Sequence, residues 1–495
     1  MRDRWILGCT ATMVLWFVAA CQTLESDLAI EIEPQEGLAT RVTVRFRGDP
    51  SGQSVCSIAE RWGGSSSEGE WFRGFEATSD SGEVALAVTS PTRVVLAHEP
   101  GAIVELTYRL VDLPGSFARI DDYRPIRSAT SFMMVPSLGL FLPEHVGVAA
   151  DGRPEVVDVE FEWEGVEDLG WRAFSSFGPD EGPHRAQLPK ARLLETLLVA
   201  GSRDHAVLED GRGQLGVVEI GANAAFTANQ LASSLEVILR GVRKWFRARE
   251  DSWYLVGYAP AGEVVEGRVG LGGTALENSF VFFFDPSVDL RSDPDLFRSV
   301  AHVLCHEVIH RWNGGLFQIA EPDYEGQGSW FTEGFTEWIA RWVLVAMEVY
   351  GVDGYREALN ERIYQYESNP DRDRPFREVI EQAGDGSSAN ALAYQRGELV
   401  AFWVDDQVRR QTDGSESLRD LFGELSRLGR RGDRVVPEEF IWDWVAQRCG
   451  VEFVDEVRRV IAEGGRVPLP KKLFERPFVL VDGPQGFPIY RLGDR

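Results

Sequence analysis

The segment His306-Glu307-Val308-Ile309-His310 constrains this chain more than any other stretch of it. On a helix, residues four apart lie on one face, one turn above the other. Two imidazoles so placed grip one metal ion, and a carboxylate beside the first reaches water on that metal. This is the arrangement of a zinc hydrolase, with Glu307 as the general base. His302 extends the same face by one turn, so three of the chain's seven histidines fall within nine residues. It is read as a packing histidine, with a donor role behind the ligands as the alternative.

Two histidines do not complete a catalytic zinc site, which needs a third protein ligand and an open position for water. Trp330-Phe-Thr-Glu333-Gly-Phe-Thr-Glu337-Trp offers two glutamates on one helical face. Glu333 is taken as the third ligand of a set with His306 and His310. Glu337, one turn on, is then placed to accept the second ring N–H of a ligating histidine and fix its tautomer. The reverse assignment, Glu337 as ligand and Glu333 behind it, satisfies the same spacing. One zinc ion per chain is expected, although a His2Glu set also takes cobalt or manganese.

A chain of 495 residues exceeds one core, and its 44% hydrophobic content is that of a folded protein. The expected architecture is multidomain α+β. Residues 28 to 188 alternate apolar and polar in short runs between Gly, Pro, Asp and Ser, which reads as a β-sandwich. Leu193–Ala200, Leu215–Ile220, Tyr254–Tyr258 and Leu276–Phe284 read as strands, and Phe226–Arg247 as an amphipathic helix. With the motif helix over about 295–313, this is an α+β catalytic domain. From Trp338 to Gly464 the spacing is helical, including one stretch from Pro437 to Ala462. The expected boundaries are 1–20 (leader), 21–188, 189–345, 346–475 and a tail, 476–495. A formal charge of −27 argues against a nucleic-acid partner.

Arg2 and Arg4 precede an apolar run, Trp5–Ala20, that ends Val18-Ala-Ala-Cys21. Small residues before a cysteine resemble the lipobox of bacterial lipoproteins. The resemblance implies cleavage before Cys21 and lipid attachment to it, hence a lipid-anchored protein of the bacterial cell envelope. Gln22 after the cysteine resembles outer-membrane forms, facing either the periplasm or the surface. The alternatives are an ordinary signal peptide and an uncleaved anchor.

His306-Glu-Val-Ile-His-Arg-Trp-Asn, Asp323-Tyr and Trp330-Phe-Thr-Glu-Gly-Phe-Thr-Glu-Trp together resemble the glycyl aminopeptidase family of gluzincin metallopeptidases. Gly272-Gly-Thr-Ala-Leu-Glu-Asn-Ser and Tyr394-Gln-Arg-Gly-Glu-Leu-Val-Ala-Phe-Trp are similar to two further segments of that family. The resemblance implies a thermolysin-like catalytic domain and peptide substrates. It implies that Glu277, on an edge strand, binds the substrate's α-amine. Gly272 and Gly273 would let that strand approach the peptide, and Tyr394 would donate to the developing oxyanion. Arg396 stands where the family has lysine. The segment after Asn313 departs from the family, and its usual C-terminal PDZ domain is not expected here. The reading is a membrane-anchored zinc aminopeptidase. An endopeptidase on the same scaffold and a non-catalytic peptide-binding lipoprotein are the alternatives; the oligomeric state is not readable.

Overall fold

The computed structural model describes residues 24–493 apart from 36, 38, 64, 68–70, 112–122, 150–151, 180–181, 210–212, 221–225, 249–252, 261–270, 286–293, 325, 383–387, 474–477 and 484–485. The leader and Cys21 lie outside the described residues. The chain is a multidomain α+β protein, with sheets in its N-terminal part and helices in its C-terminal part.

Alternation along the first strands produces a two-sheet sandwich. Leu28–Pro34 buries every second residue, as a half-buried strand must. It lies inside a six-stranded sheet of order His184–Pro189, Val156–Trp163, Leu28–Pro34, Ala39–Arg47, Ile103–Val111, Phe72–Ser79. A four-stranded sheet, Leu142–Pro143, Gln53–Ser57, Arg93–Ala97, Ala85–Ser90, faces it. Ile30, Val44, Leu106 and Phe161 from one sheet and Cys56, Val94 and Leu96 from the other share one core.

The sheet of the expected catalytic domain, called the catalytic sheet below, runs His205–Glu209, Gln214–Glu219, Trp253–Pro260, Ser279–Phe284, Leu271–Leu276. Its three parallel inner strands, Gln214–Glu219, Trp253–Pro260 and Ser279–Phe284, are buried along nearly their whole length. Both faces are covered, which explains why the last two strands are continuously apolar rather than alternating. Tyr254, Val256, Phe280 and Phe282 face the helices. Leu255, Val281 and Phe283 share a core with Leu197 and with Phe174 and Val199, the last two from a further sheet of Ile126–Arg127, Ser131–Met134, Leu198–Gly201 and Arg172–Ser175. That sheet pairs strands from both sides of residue 189, so the N-terminal and catalytic parts are joined by backbone hydrogen bonds as well as by packing.

The short helices α1 (Pro136–Gly139) and α2 (Lys190–Leu194) punctuate this region. Then follow α3 (Ala228–Phe246), α4 (Pro294–His310), α5 (Ser329–Ala346), α6 (Val352–Ser368), α7 (Phe376–Gln382), α8 (Ser388–Gln411), α9 (Leu418–Arg430), α10 (Glu438–Cys449) and α11 (Val451–Glu463). Helix α3 starts at a capping box, Thr227 with Gln230, and buries Leu231, Leu235, Ile238, Leu239, Val242 and Phe246. One continuous core joins α3 to the C-terminal hairpin, so the catalytic sheet and the helical region are not separately packed.

Three sequence expectations change, and the tail has structure that the sequence reading left open. Leu193–Ala200 is not one strand: α2 and a turn closed by Thr196 Oγ1 on Leu193 O (2.8 Å) precede Leu198–Gly201. Leu276–Phe284 is not one strand either, because Asn278 adopts φ +49 and folds residues 271–284 into a hairpin. Pro437–Ala462 is two helices, broken at Gly450, whose φ of +88 no helix accommodates. The tail is a hairpin, Phe478–Asp482 with Pro488–Leu492. Its fully buried Tyr490 exchanges two hydrogen bonds with Asn360 on α6, at 3.0 and 2.7 Å.

Candidate metal centre

Helix α4 lies under the edge of the catalytic sheet with Leu304, Cys305, Val308 and Ile309 buried in the core. This fixes the opposite face, and with it His306 and His310, toward α5. Just beyond the helix, Trp312 stacks on Phe246 at 4.9 Å with planes 9° apart. Asn313 is almost fully buried, and its Nδ2 donates to Phe331 O (3.2 Å), Thr332 O (3.1 Å) and Thr336 Oγ1 (3.0 Å). One side-chain amide therefore ties the end of α4 to the start of α5, which sets Glu333 over the two histidines. The sequence placed Asn313 in a motif but gave it no role.

The His–His–Glu cluster is compact. His306 Nε2 and His310 Nε2 lie 2.9 Å apart, and Glu333 Oε2 lies 3.2 and 3.4 Å from them. A tetrahedral ion with bonds of about 2.0–2.1 Å spaces its ligand atoms about 3.3–3.4 Å apart. The two edges to Glu333 match that spacing, and the edge between the histidines is shorter by about 0.4 Å. His310 Nδ1–H donates to Asn313 O at 3.0 Å. His306 Nδ1 is 3.0 Å from Glu337 Oε1, although its N–H does not point squarely along that line. These contacts assign the ring protons to Nδ1 and leave both Nε2 lone pairs facing Glu333. Two lone pairs and a carboxylate oxygen at these distances repel unless a cation or a proton lies among them. The residues fit a metal ion.

A proton is the alternative occupant of that place: burial opposes it, yet Glu333 and Glu337 raise the His306 imidazole well above its ordinary range and Glu333 raises that of His310. Burial likewise opposes ionisation of Glu333, and the charged His310 and His306 hold its carboxyl well below the usual range. Burial also opposes ionisation of Glu337, but His302 and Arg362 hold it low.

Glu337 is the hub of a buried charged layer behind the ligands. Its Oε2 accepts from His302 Nε2 at 2.9 Å and from Arg362. Arg362 in turn donates to Glu398 (2.5 Å), and Arg341 pairs with the same carboxylate. Helices α4, α5, α6 and α8 are thus linked through one network, and His302 belongs to it. Nothing in the spacing around Arg362 or Glu398 marked them. They were found only where the helices meet.

Glu307 is buried, and its charge acts on His306, His310 and Tyr394. Tyr394, on α8, stacks against His306 with ring centroids 5.8 Å apart. The charge of Glu333, then burial, then Glu307 raise its phenol well above the ordinary value, so the hydroxyl stays a proton donor. Arg396, two residues on, is fully buried and donates to the carbonyls of Ile461 (3.0 Å), Arg372 (2.8 Å) and Arg374 (3.0 Å). It locks α8 to α11 and to the turn before α7, away from the ligands.

Gly272 and Gly273 lie on the edge strand Leu271–Leu276, beside α4. At Gly273 a Cβ would sit 2.6 Å from Val281 O, so the hairpin itself demands glycine there. Glu277 is not on that strand but in the turn after it. Its carboxylate pairs with Arg192 and accepts from Asn278 Nδ2 at 3.2 Å, while its backbone N–H donates to Glu195 O at 2.7 Å.

The sequence model described as M61 glycyl aminopeptidase matches residues 299–399, from α4 to Tyr394 and just beyond. Among solved structures, an aminopeptidase N family protein from Idiomarina loihiensis is similar over 89% of this chain and 77% of its own, at 16% identity and a TM-score of 0.72. An M1 zinc metallopeptidase from Deinococcus radiodurans is similar over 90% of this chain and 95% of its own, at 15% identity and a TM-score of 0.53. A variant of that enzyme bound to a Tyr-Ser-Ala substrate is similar over 90% of this chain and 94% of its own, at 16% identity and a TM-score of 0.51. The chain has a gluzincin-type zinc metallopeptidase fold. Within this fold the sequence match and the fold matches point to two different families, M61 and M1. The His306, His310 and Glu333 cluster lies inside the segment that the sequence model covers.

Proposed function

We propose that this protein is a zinc aminopeptidase that removes N-terminal residues from peptides at the envelope membrane. The Nε2–Nε2–Oε2 triangle, with buried Glu307 next to His306, carries the reading. His306, His310 and Glu333 would hold a zinc ion, which polarises a carbonyl and acidifies water at neutral pH. Glu307 takes the proton from the attacking water and returns it to the departing amine nitrogen, a role that needs a carboxylate anchored but not coordinated. Tyr394, kept protonated by Glu333, donates to the carbonyl oxygen as charge develops on it. Gly272 and Gly273 form the backbone edge along which the peptide lies, and Glu277 receives the free amine.

The pairing of Glu277 with Arg192 favours a second reading, an endopeptidase in which Glu277 binds no amine. Anchoring rests on Cys21 as the lipidated residue, with the outer membrane as its place; no helix among the described residues is long and apolar enough to cross a membrane.

The deciding experiment uses the purified chain without its leader. Elemental analysis should find one zinc per chain, and a panel of free and N-blocked peptides should be cleaved, the free ones faster. Glu307→Gln should keep the zinc and lose about 10²–10⁴ in kcat. Zinc lost from that variant would mean that Glu307 coordinates, and the assignment fails.

A further inference from the structure

A cavity of about 890 Å³ opens at the C-terminal end of α4. Among the described residues its lining holds six arginines, Arg192, Arg247, Arg311, Arg427, Arg430 and Arg434, and one acid, Glu277. The whole chain carries 78 acidic against 51 basic residues, so this local excess of five positive charges runs opposite to the molecule's average. Three of the six are held in place. Arg192 pairs with Glu277, Arg247 lies 3.5 Å from Asp420, and the Arg311 guanidinium lies over the Tyr254 ring at 5.3 Å. Arg427 and Arg430, one turn apart on α9, and Arg434, in the segment after it, have no acidic partner among the described residues.

Like charges gathered around one volume destabilise the fold unless an anion joins them. Guanidinium forks match carboxylates in geometry, and a cavity of this size admits several side chains. Two residues link the cavity to the site: Glu277, the proposed acceptor of the substrate amine, is in its lining, and Arg311, also in it, follows His310 in the chain.

We infer that this cavity binds the acidic side chains of the peptide substrate, so that the enzyme prefers peptides with Asp or Glu near the scissile bond. The inference rests on the peptidase reading above and names its substrate class. Arg192 then serves two ends, orienting Glu277 and adding to the field that draws the acidic residue in.

The test compares peptides that differ only by Glu or Gln at each position flanking the bond, with the zinc-loaded enzyme. At low salt the best Glu peptide should exceed its Gln twin about tenfold in kcat/KM, mainly through KM, and the ratio should shrink between about 20 and 300 mM salt. In Arg427→Gln/Arg430→Gln/Arg434→Gln the Glu-to-Gln ratio should fall toward one, with a melting temperature close to that of the parent. A parent ratio of one at every position, with the Gln peptides cleaved, overturns the inference and leaves the peptidase reading standing. If no peptide is cleaved, the peptidase reading fails. Binding of the same Glu and Gln peptides, carrying a neutral dye, then decides the cavity: equal dissociation constants for the twins overturn the inference, and about tenfold tighter binding of the Glu form, lost in the triple variant, supports it.

Discussion

Gly334 on α5 and Gly397 on α8 face each other at a helix crossing where neither position has room for a methyl group. A Cβ on Gly397 would lie 2.8 Å from Gly334 Cα and closer still to the Trp330 carbonyl, and one on Gly334 would lie 2.7 Å from Glu398 N. Backbone contact at this point sets the depth of α8. Tyr394 lies one turn before Gly397 and Glu333 one residue before Gly334, so the crossing brings the phenol onto the metal cluster.

Gly397→Ala should therefore separate the helices. Overpacking against backbone costs about 3 kcal/mol, and here both partners are rigid. Calorimetry should show a melting temperature lower by several degrees, with weakened turnover in the folded fraction. An alanine variant that melts with the parent would show that the crossing is looser than described.

Glu337→Gln should weaken metal binding without removing a ligand. The contact to His306 Nδ1 loses its charge, and losses of about 10–100-fold in affinity follow when such partners are removed. Arg341 and Arg362 also lose a buried counter-charge, so stability should fall by about 3 kcal/mol or more. Competition against a chromogenic chelator measures the first effect and denaturant titration the second. Zinc affinity equal to that of the parent would remove Glu337 from the account of the site.

Glu277→Ala should raise KM for peptides with a free N-terminus by about 10–100-fold, the loss of one charge-assisted contact, with zinc content unchanged. N-blocked peptides should be poor substrates of the parent and indifferent to the change. Blocked peptides cleaved by the parent as well as free ones would assign Glu277 to Arg192 alone and make the enzyme an endopeptidase.

Cys21→Ser removes the thiol that a diacylglycerol would occupy. Expressed from the full chain, this variant should leave the membrane fraction or accumulate as unprocessed precursor. Processing and detergent partitioning identical to those of the parent would dispose of the lipid anchor.

Much of the metal site was legible because its logic is local. His306 and His310 are separated by one helical turn, and any helix there puts them together. Glu333 and Glu337 were legible as a pair by the same rule, and Glu333 was taken as the ligand although the reverse assignment met the same spacing. The α4–α5 packing, which Asn313 fixes, brings Glu333 Oε2 within 3.4 Å of both Nε2 atoms while turning Glu337 toward Nδ1 and His302. The strand ends were misread for a related reason. Leu276–Phe284 is apolar enough to pass for one strand, and only the left-handed turn at Asn278 reveals the hairpin.

The sequence by itself determined the sandwich, the helix that carries the motif and the chemistry of its donors. Apolar periodicity and side-chain type act within a few residues, and they survive without knowledge of the fold. The tertiary structure alone decided which glutamate meets the histidines and that Tyr394 stacks on His306. It also decided that Arg362 and Glu398 stand behind them, that Arg192 holds Glu277, and that arginines from four separate segments border one cavity. Each of these depends on contacts between residues tens to hundreds of positions apart, and such contacts are set by how helices and sheets pack rather than by any pattern along the chain.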